Sequence, residues 1–268
     1  EIDKSIPTEE PVSLAQFIRP LFQLALERAG DPADENQAAV LALGMFLGSE
    51  HFESFIGPVK TKKMKKQPRR IRRVVLGNRE DLRLHFLISA VLKIISDQGI
   101  THAVGEFKEL MDAEKGGSGF SFVDLAADRT GVRFAEVATD RSGGAKRIQW
   151  TLSRETREET FFPNVKELPE GLSQAEFEHF FGNVESDIYL SLVHAIDRCI
   201  ARLPAYHSDV AGQQTAKTGD CRISEVVPEP LKQRLTAKGK NPKQTPQRKG
   251  ESGRKSPTNL KKANHPLR

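Results

Sequence analysis

The chain has 268 residues and a hydrophobic content of 37%, below the globular average, so part of its length falls outside a packed core. Its net charge of +5 is unevenly spread: residues 1–59 carry 3 basic and 10 acidic groups, 60–79 carry 10 and none, 80–203 carry 14 and 21, and 204–268 carry 14 and 5. That segregation excludes a uniformly basic binding domain, and the longest apolar run, LHFLISAVLKII at 84–95, is broken by His85, Ser89 and Lys93 before it reaches the ~18 residues of a membrane span.

In chain order, residues 13–28 place Leu14, Phe17, Ile18, Leu21, Phe22 and Leu24 to Leu26 at helical spacing, with Ser13 as N-cap, Gly30 as stop, and Pro20 as a kink or division. Residues 34–47 form a second amphipathic stretch through Ala38, Leu41, Ala42, Met45 and Phe46, closed by Gly48, so the two make a helical hairpin. KTKKMKKQPRRIRR at 60–73 holds nine basic residues in fourteen, with Pro68 interrupting any helix, and reads as a surface loop. Val74 and Val75 are too short a run to settle between strand and coil.

Asn78 followed by Glu80 and Asp81 announces a helix running to about Gln98, apolar on most sides and therefore central to the core. A further helix over 101–114 aligns His102, Glu106 and Glu109 on one face. Ser121 and Asp124 form a capping-box-like start for a helix to about Thr139. Residues 144–160 offer another, with Trp150 and Leu152 packing, although the charged RETREE run marks an exposed face or a break. Ser173 and Glu176 make a capping box, and 184–203 supply Ile188, Tyr189, Leu192, Ile196 and Ile200 to a last amphipathic helix.

The expected fold is all-α, an irregular bundle of about seven helices. Its expected organisation is an N-terminal hairpin over 1–59, a basic loop over 60–77, a main helical domain over 78–204 packed with the hairpin, and a disordered basic tail over 205–268. Cys199 and Cys221 form no metal-ligand pattern and read either as a disulfide or as two thiols. The chain opens at Glu1 rather than Met, which leaves room for a removed leader; periplasmic or secreted placement is expected, with a cytoplasmic alternative.

Polar chemistry concentrates at 99–131, where Glu106, Glu109, Asp112, Asp124 and Asp128 flank the turn-forming GGSG of residues 116–119. Two carboxylates in different environments can act as general acid and base, with Glu106 the acid and Asp124 or Asp128 the base, and His85 beside them. The competing structural expectation is that Asp112 and Asp124 cap helix ends, Asp128 pairs with Arg129 or Arg133, and His85 is a core histidine bonded to a carboxylate. His85, Glu106, Asp112 and Asp124 are also candidate ligands for a zinc or manganese-type ion, without an HExxH spacing to support them. GGSGFS is neither a nucleophile elbow nor a phosphate loop, although Ser118 and Ser121 are within conceivable reach of His85.

HFLISA at 85–90, GEFKELMD at 105–112 and GGSGFSFVDLAADRTG at 116–131, together with RPLFQLALERAG and LPEGLSQAEF, resemble the signature of a family of uncharacterised exported bacterial proteins, over most of residues 14–203. More remotely, the order His, Glu with Lys, Asp and a small-residue helix ending in Gly is similar to VanZ-like and small YfiM-like envelope proteins, whose membrane segments this chain does not match. The resemblance implies the cell envelope and brings no activity.

Two functions are therefore expected. One is a non-catalytic envelope-associated or scaffold protein that contacts acidic glycan, lipopolysaccharide or nucleic acid non-specifically through residues 60–73 and 231–268. The other is a glycan-directed cell-envelope hydrolase built on Glu106, Asp124, Asp128 and His85.

Overall fold

The computed structural model describes residues 10–48, 73–97, 119–207 and 227–238 of the chain. These form a mostly helical body, as the all-α reading expects. The expected helix over 101–114, the basic run 60–72 and the stretches 208–226 and 239–268 lie outside the described residues.

Strand β1 (Val12–Ser13) leads into α1 (Ala15–Glu27) and α2 (Pro32–Leu47). Ser13 is not the N-cap; that position is Leu14, and Ser13 pairs in parallel with Val75 of β2 (Val74–Val75). Pro20 sits inside α1 without dividing it. Asp31 caps α2 by accepting from the Ala33 and Asp34 amides at 2.9 and 3.3 Å, and Pro32 at the first helical position moves the start two residues earlier than expected. Gly77 and Asn78 both take positive φ in the tight turn that follows β2, closed by the Leu76–Arg79 bridge. Glu158 braces this corner, accepting from the Ser13 hydroxyl and, at 2.8 Å, from the Gly77 amide.

The centre of the body is α3 (Glu80–Asp97) packed along α4 (Phe122–Thr139). Their contact is close because Gly131 faces α3: a Cβ there would lie 2.2 Å from the Phe86 carbonyl oxygen. Phe22, Phe86, Phe134 and Phe161 fill the interior beside them, with neighbouring ring centroids 5.2–6.4 Å apart. Such pairs add ~0.5–1.5 kcal/mol beyond area burial. Asn36 on α2 is fully buried and donates through Nδ2 to the Ala138 and Ala145 carbonyls at 3.0 and 2.9 Å, tying α2 to the end of α4 and to the helix that follows it.

Helix α5 (Gly144–Leu152) is shorter than the span read from sequence, and Glu158–Thr160 forms one 3₁₀ turn after the charged run. Phe177 and Phe181 on α6 (Gln174–Phe181) and Tyr189 on α7 (Asp187–Ala201) pack with Phe120 and Phe122 in a second aromatic cluster, which seats both helices on the start of α4. The Ser173–Glu176 capping box is present with both of its bonds.

Several apolar side chains expected to pack are exposed instead: Leu24, Leu26, Phe46, Trp150 and Ile188. Each lies on a helix whose inward stripe is already filled by neighbours, so the periodic pattern overcounts the buried face. The boundary at residue 204 also shifts. Ala205 and Tyr206 are buried, with the Tyr206 hydroxyl donating to the Phe161 carbonyl at 2.6 Å. Inside the stretch read as tail, Glu229–Lys238 forms a further helix, α8, and Val227 and Leu231 join the core at 3% and 1% exposure. These two apolar residues are the segment's points of attachment to the core, although its average composition is polar. Cys199 on α7 is buried and disulfide-bonded, whereas Cys221 lies outside the described residues.

Candidate functional site: a histidine between two aspartates

Two helix starts build the site. Gly119, at φ +80°, lets Phe120 pair with Leu172 in a one-residue bridge, and a side chain at 119 would drive into the Leu172 carbonyl. Ser121 then caps α4, its hydroxyl accepting from the Asp124 amide at 3.0 Å. Asp124 and Asp128 consequently project from successive turns of α4 toward α3, where His85 and Ser89 also stand one turn apart.

His85 Nδ1 lies 3.1 Å from Asp128 Oδ1, and His85 Nε2 lies 3.8 Å from Asp124 Oδ2. The Ser89 hydroxyl donates to the same Asp128 oxygen at 2.8 Å. Asp128 Oδ2 has no partner among the described residues. Asp128 is therefore not paired with Arg129 or Arg133, as the structural expectation had it: Arg129 reaches across to Asp197 on α7, and Arg133 reaches Glu136.

Asp124 differs from its neighbour. Its backbone is capped by Ser121, but its carboxylate turns inward, and Oδ1 is buried without a hydrogen-bond partner, with Arg79 Nη2 at 3.7 Å as a cationic neighbour. Burial pushes its carboxyl above the ordinary aspartate range, against the opposing pull of His85, the Ser121 hydroxyl and Arg79. Arg79 is only partly available to it, because Arg79 also binds Asp81 through two nitrogens and Glu170 at 2.6 Å. Those bonds raise the Arg79 guanidinium far above its ordinary value.

A cavity of about 500 Å³ opens on this cluster. Asp124, Asp128, Ser121 and Gln174 give it polar walls, and Phe120 and Tyr189 give it aromatic ones. Burial also raises the Tyr189 phenol. A small substrate with both a flat apolar face and hydroxyl groups suits such a lining.

His85, Asp124 and Asp128 thus come together, while Glu106, Glu109, Asp112, His102 and Ser118 lie outside the described residues. Ser121 is engaged as a cap and does not pair with His85. Among the described residues, no group of three His, Cys, Asp or Glu side chains is placed to hold a metal ion. Arg79 and Glu170 carry no site signal in the sequence beyond the place of Arg79 in a Gly-Asn turn just before a helix start, and Tyr189 reads there only as a packing residue of the last helix.

Comparison with protein-family models, with curated proteins and with solved structures gives no match for this chain.

Proposed function

We propose that this cavity carries out general acid–base hydrolysis on an envelope glycan. The reading rests on one observation above all: two aspartates one helical turn apart line the same cavity in unlike environments. Asp124, pushed toward the protonated form, suits the acid that protonates a leaving-group oxygen. Asp128 suits the base that takes a proton from the attacking water, with His85 and Ser89 fixing its Oδ1 and leaving Oδ2 for that water. The assignment of Asp124 as acid replaces Glu106 in that role.

Envelope placement draws on the resemblance to exported bacterial proteins and on the disulfide at Cys199, a bond that persists in oxidising compartments. The charge segregation favours a second reading, a non-catalytic protein held on anionic partners by residues 60–73 and 231–268.

Reducing-end release from purified cell-wall glycan and from soluble oligosaccharides separates the two. The hydrolase reading expects release by the full chain, reduced ~10²-fold or more in Asp124→Asn and Asp128→Asn with folding intact. Absence of release from both kinds of substrate by the unmodified chain would overturn it.

A further inference from the structure

Helix α5 buries Ala145, Ile148, Gln149 and Leu152 against α1, α2 and α4, and turns the opposite face to solvent. On that face stand Lys146 and Trp150, one turn apart, and Arg154, two residues beyond the helix end, folds back over the Trp150 ring; all three are exposed and form a single stripe. Trp150 is the chain's one tryptophan and is 58% exposed. A lone exposed apolar side chain is ordinary on a protein surface; what sets Trp150 apart is the cation stacked on its ring.

Arg154 is held in place for binding. Its guanidinium carbon lies 3.2 Å from the Trp150 ring centroid, and its Nη1 donates to the Trp150 carbonyl at 3.0 Å and the Ser153 hydroxyl at 2.9 Å. Nε and Nη2 keep their donors free among the described residues, and neither Arg154 nor Lys146 forms an ion pair there. The carboxylates of the flanking turns are committed elsewhere: Asp140 accepts from Ser142 and Gly144, and Glu155 pairs with Arg157.

We infer that the Lys146–Trp150–Arg154 stripe is a docking face for an anionic phospholipid surface. Two cations flank an amphipathic aromatic ring, which matches a layer where phosphates lie above an apolar boundary. A free guanidinium edge takes a phosphate, and the indole settles at the headgroup level. A polyanion whose rings stack on the indole is the competing occupant, and the vesicle test below separates it from a lipid surface. The stripe is separate from the aspartate cavity and does not depend on the hydrolytic reading.

The lone tryptophan makes the test local. The full chain is mixed with phosphatidylcholine vesicles with and without phosphatidylglycerol, and Trp150 emission, acrylamide quenching and vesicle co-sedimentation are recorded. Anionic vesicles should shift the emission to the blue and at least halve the quenching, while neutral vesicles leave both unchanged. Lys146→Gln with Arg154→Gln, both exposed and therefore compatible with folding, should weaken vesicle affinity about 25-fold, at roughly fivefold per cation. Co-sedimentation with unchanged emission and quenching, or affinity that the double variant does not alter, would assign binding to other basic segments and overturn the inference. A shift given by an acidic polysaccharide or nucleic acid but not by vesicles would overturn it too, as would no response to any of them.

Discussion

His85 Nδ1 and Asp128 Oδ1 stand 3.1 Å apart across the seam between α3 and α4, and the Ser89 hydroxyl shares the same carboxylate oxygen. An acceptor at Nδ1 favours the tautomer of a neutral imidazole that carries its proton on that nitrogen. Asp128→Asn presents an amide in its place and weakens that preference. Imidazole ¹⁵N shifts should show the Nδ1–H tautomer dominant in the natural chain and the Nε2–H form gaining in the variant. Urea unfolding should register a loss of ~1–2 kcal/mol for the charged acceptor. An unchanged tautomer balance would mean the pair does not hold the ring.

Asp124 is the reverse case. Its carboxyl is raised by burial, so the folded chain holds this proton more tightly than the unfolded chain does. A raised group contributes stability that is fully present below its unfolded pKa and is lost as pH climbs through the folded one. At neutral pH, above the unfolded value, that contribution is being lost because burial makes the charge costly, and Asp124→Asn should raise the melting temperature there. The gain should vanish near pH 3, where the natural carboxyl is protonated in both states. A variant less stable than the natural chain at pH 7 would show that Arg79 and His85 outweigh the burial.

Much of this architecture is legible in the sequence, and what is not has physical causes. Helix α3 was legible because acidic residues at its start and an almost continuous apolar interior act together. The β1–β2 pairing was not, because two-residue strands carry no period. Trp150 was misplaced because a nine-residue helix offers little pattern to choose which apolar residue faces outward. Asp124 reads from sequence as a helix-start residue, and its backbone is capped, but sequence cannot show that one of its carboxylate oxygens is buried without a hydrogen-bond partner. The facing of His85 toward Asp128 depends on how α3 rotates against α4, a tertiary quantity set at Gly131.

Helix α5 begins at Gly143, which has no side chain to cap it, and Asp140 supplies the missing acceptor from three residues upstream. It takes the Ser142 amide at 2.8 Å, the Ser142 hydroxyl at 2.6 Å and the Gly144 amide at 3.0 Å. The Ser142 hydroxyl above all holds its carboxyl below the usual range. A depressed group stabilises above its unfolded pKa, and that contribution fades as pH falls through the folded value. Asp140→Ala should cost ~1 kcal/mol at pH 7, the usual value of a lost cap. The difference from the natural chain should shrink on acidification below about pH 3, within the range where aspartates titrate. Thermal melts at pH 7 and pH 2 give both numbers, and a constant gap between them would assign the loss to something other than the charge.

Gly131 is where the geometry of the site is decided. Ordinarily Gly→Ala within a helix gains ~1 kcal/mol, because alanine loses less backbone freedom on folding. Here the added methyl carbon would sit 2.2 Å from the Phe86 carbonyl oxygen, 3.0 Å from its carbon and 3.1 Å from the Ala90 nitrogen, all of them α3 backbone. Backbone of a packed helix cannot yield as a flexible side chain does, so α3 and α4 must separate. Overpacking of this kind costs ~1–3 kcal/mol or more, which reverses the propensity gain. Because Phe86 follows His85 and Ala90 follows Ser89, the same displacement pulls both site residues away from Asp128. Gly131→Ala should therefore lower the melting temperature and, in the fraction that remains folded, shift the His85 tautomer balance in the direction of Asp128→Asn. A stabilised variant with an unaltered His85 signal would show that the two helices do not meet at Gly131.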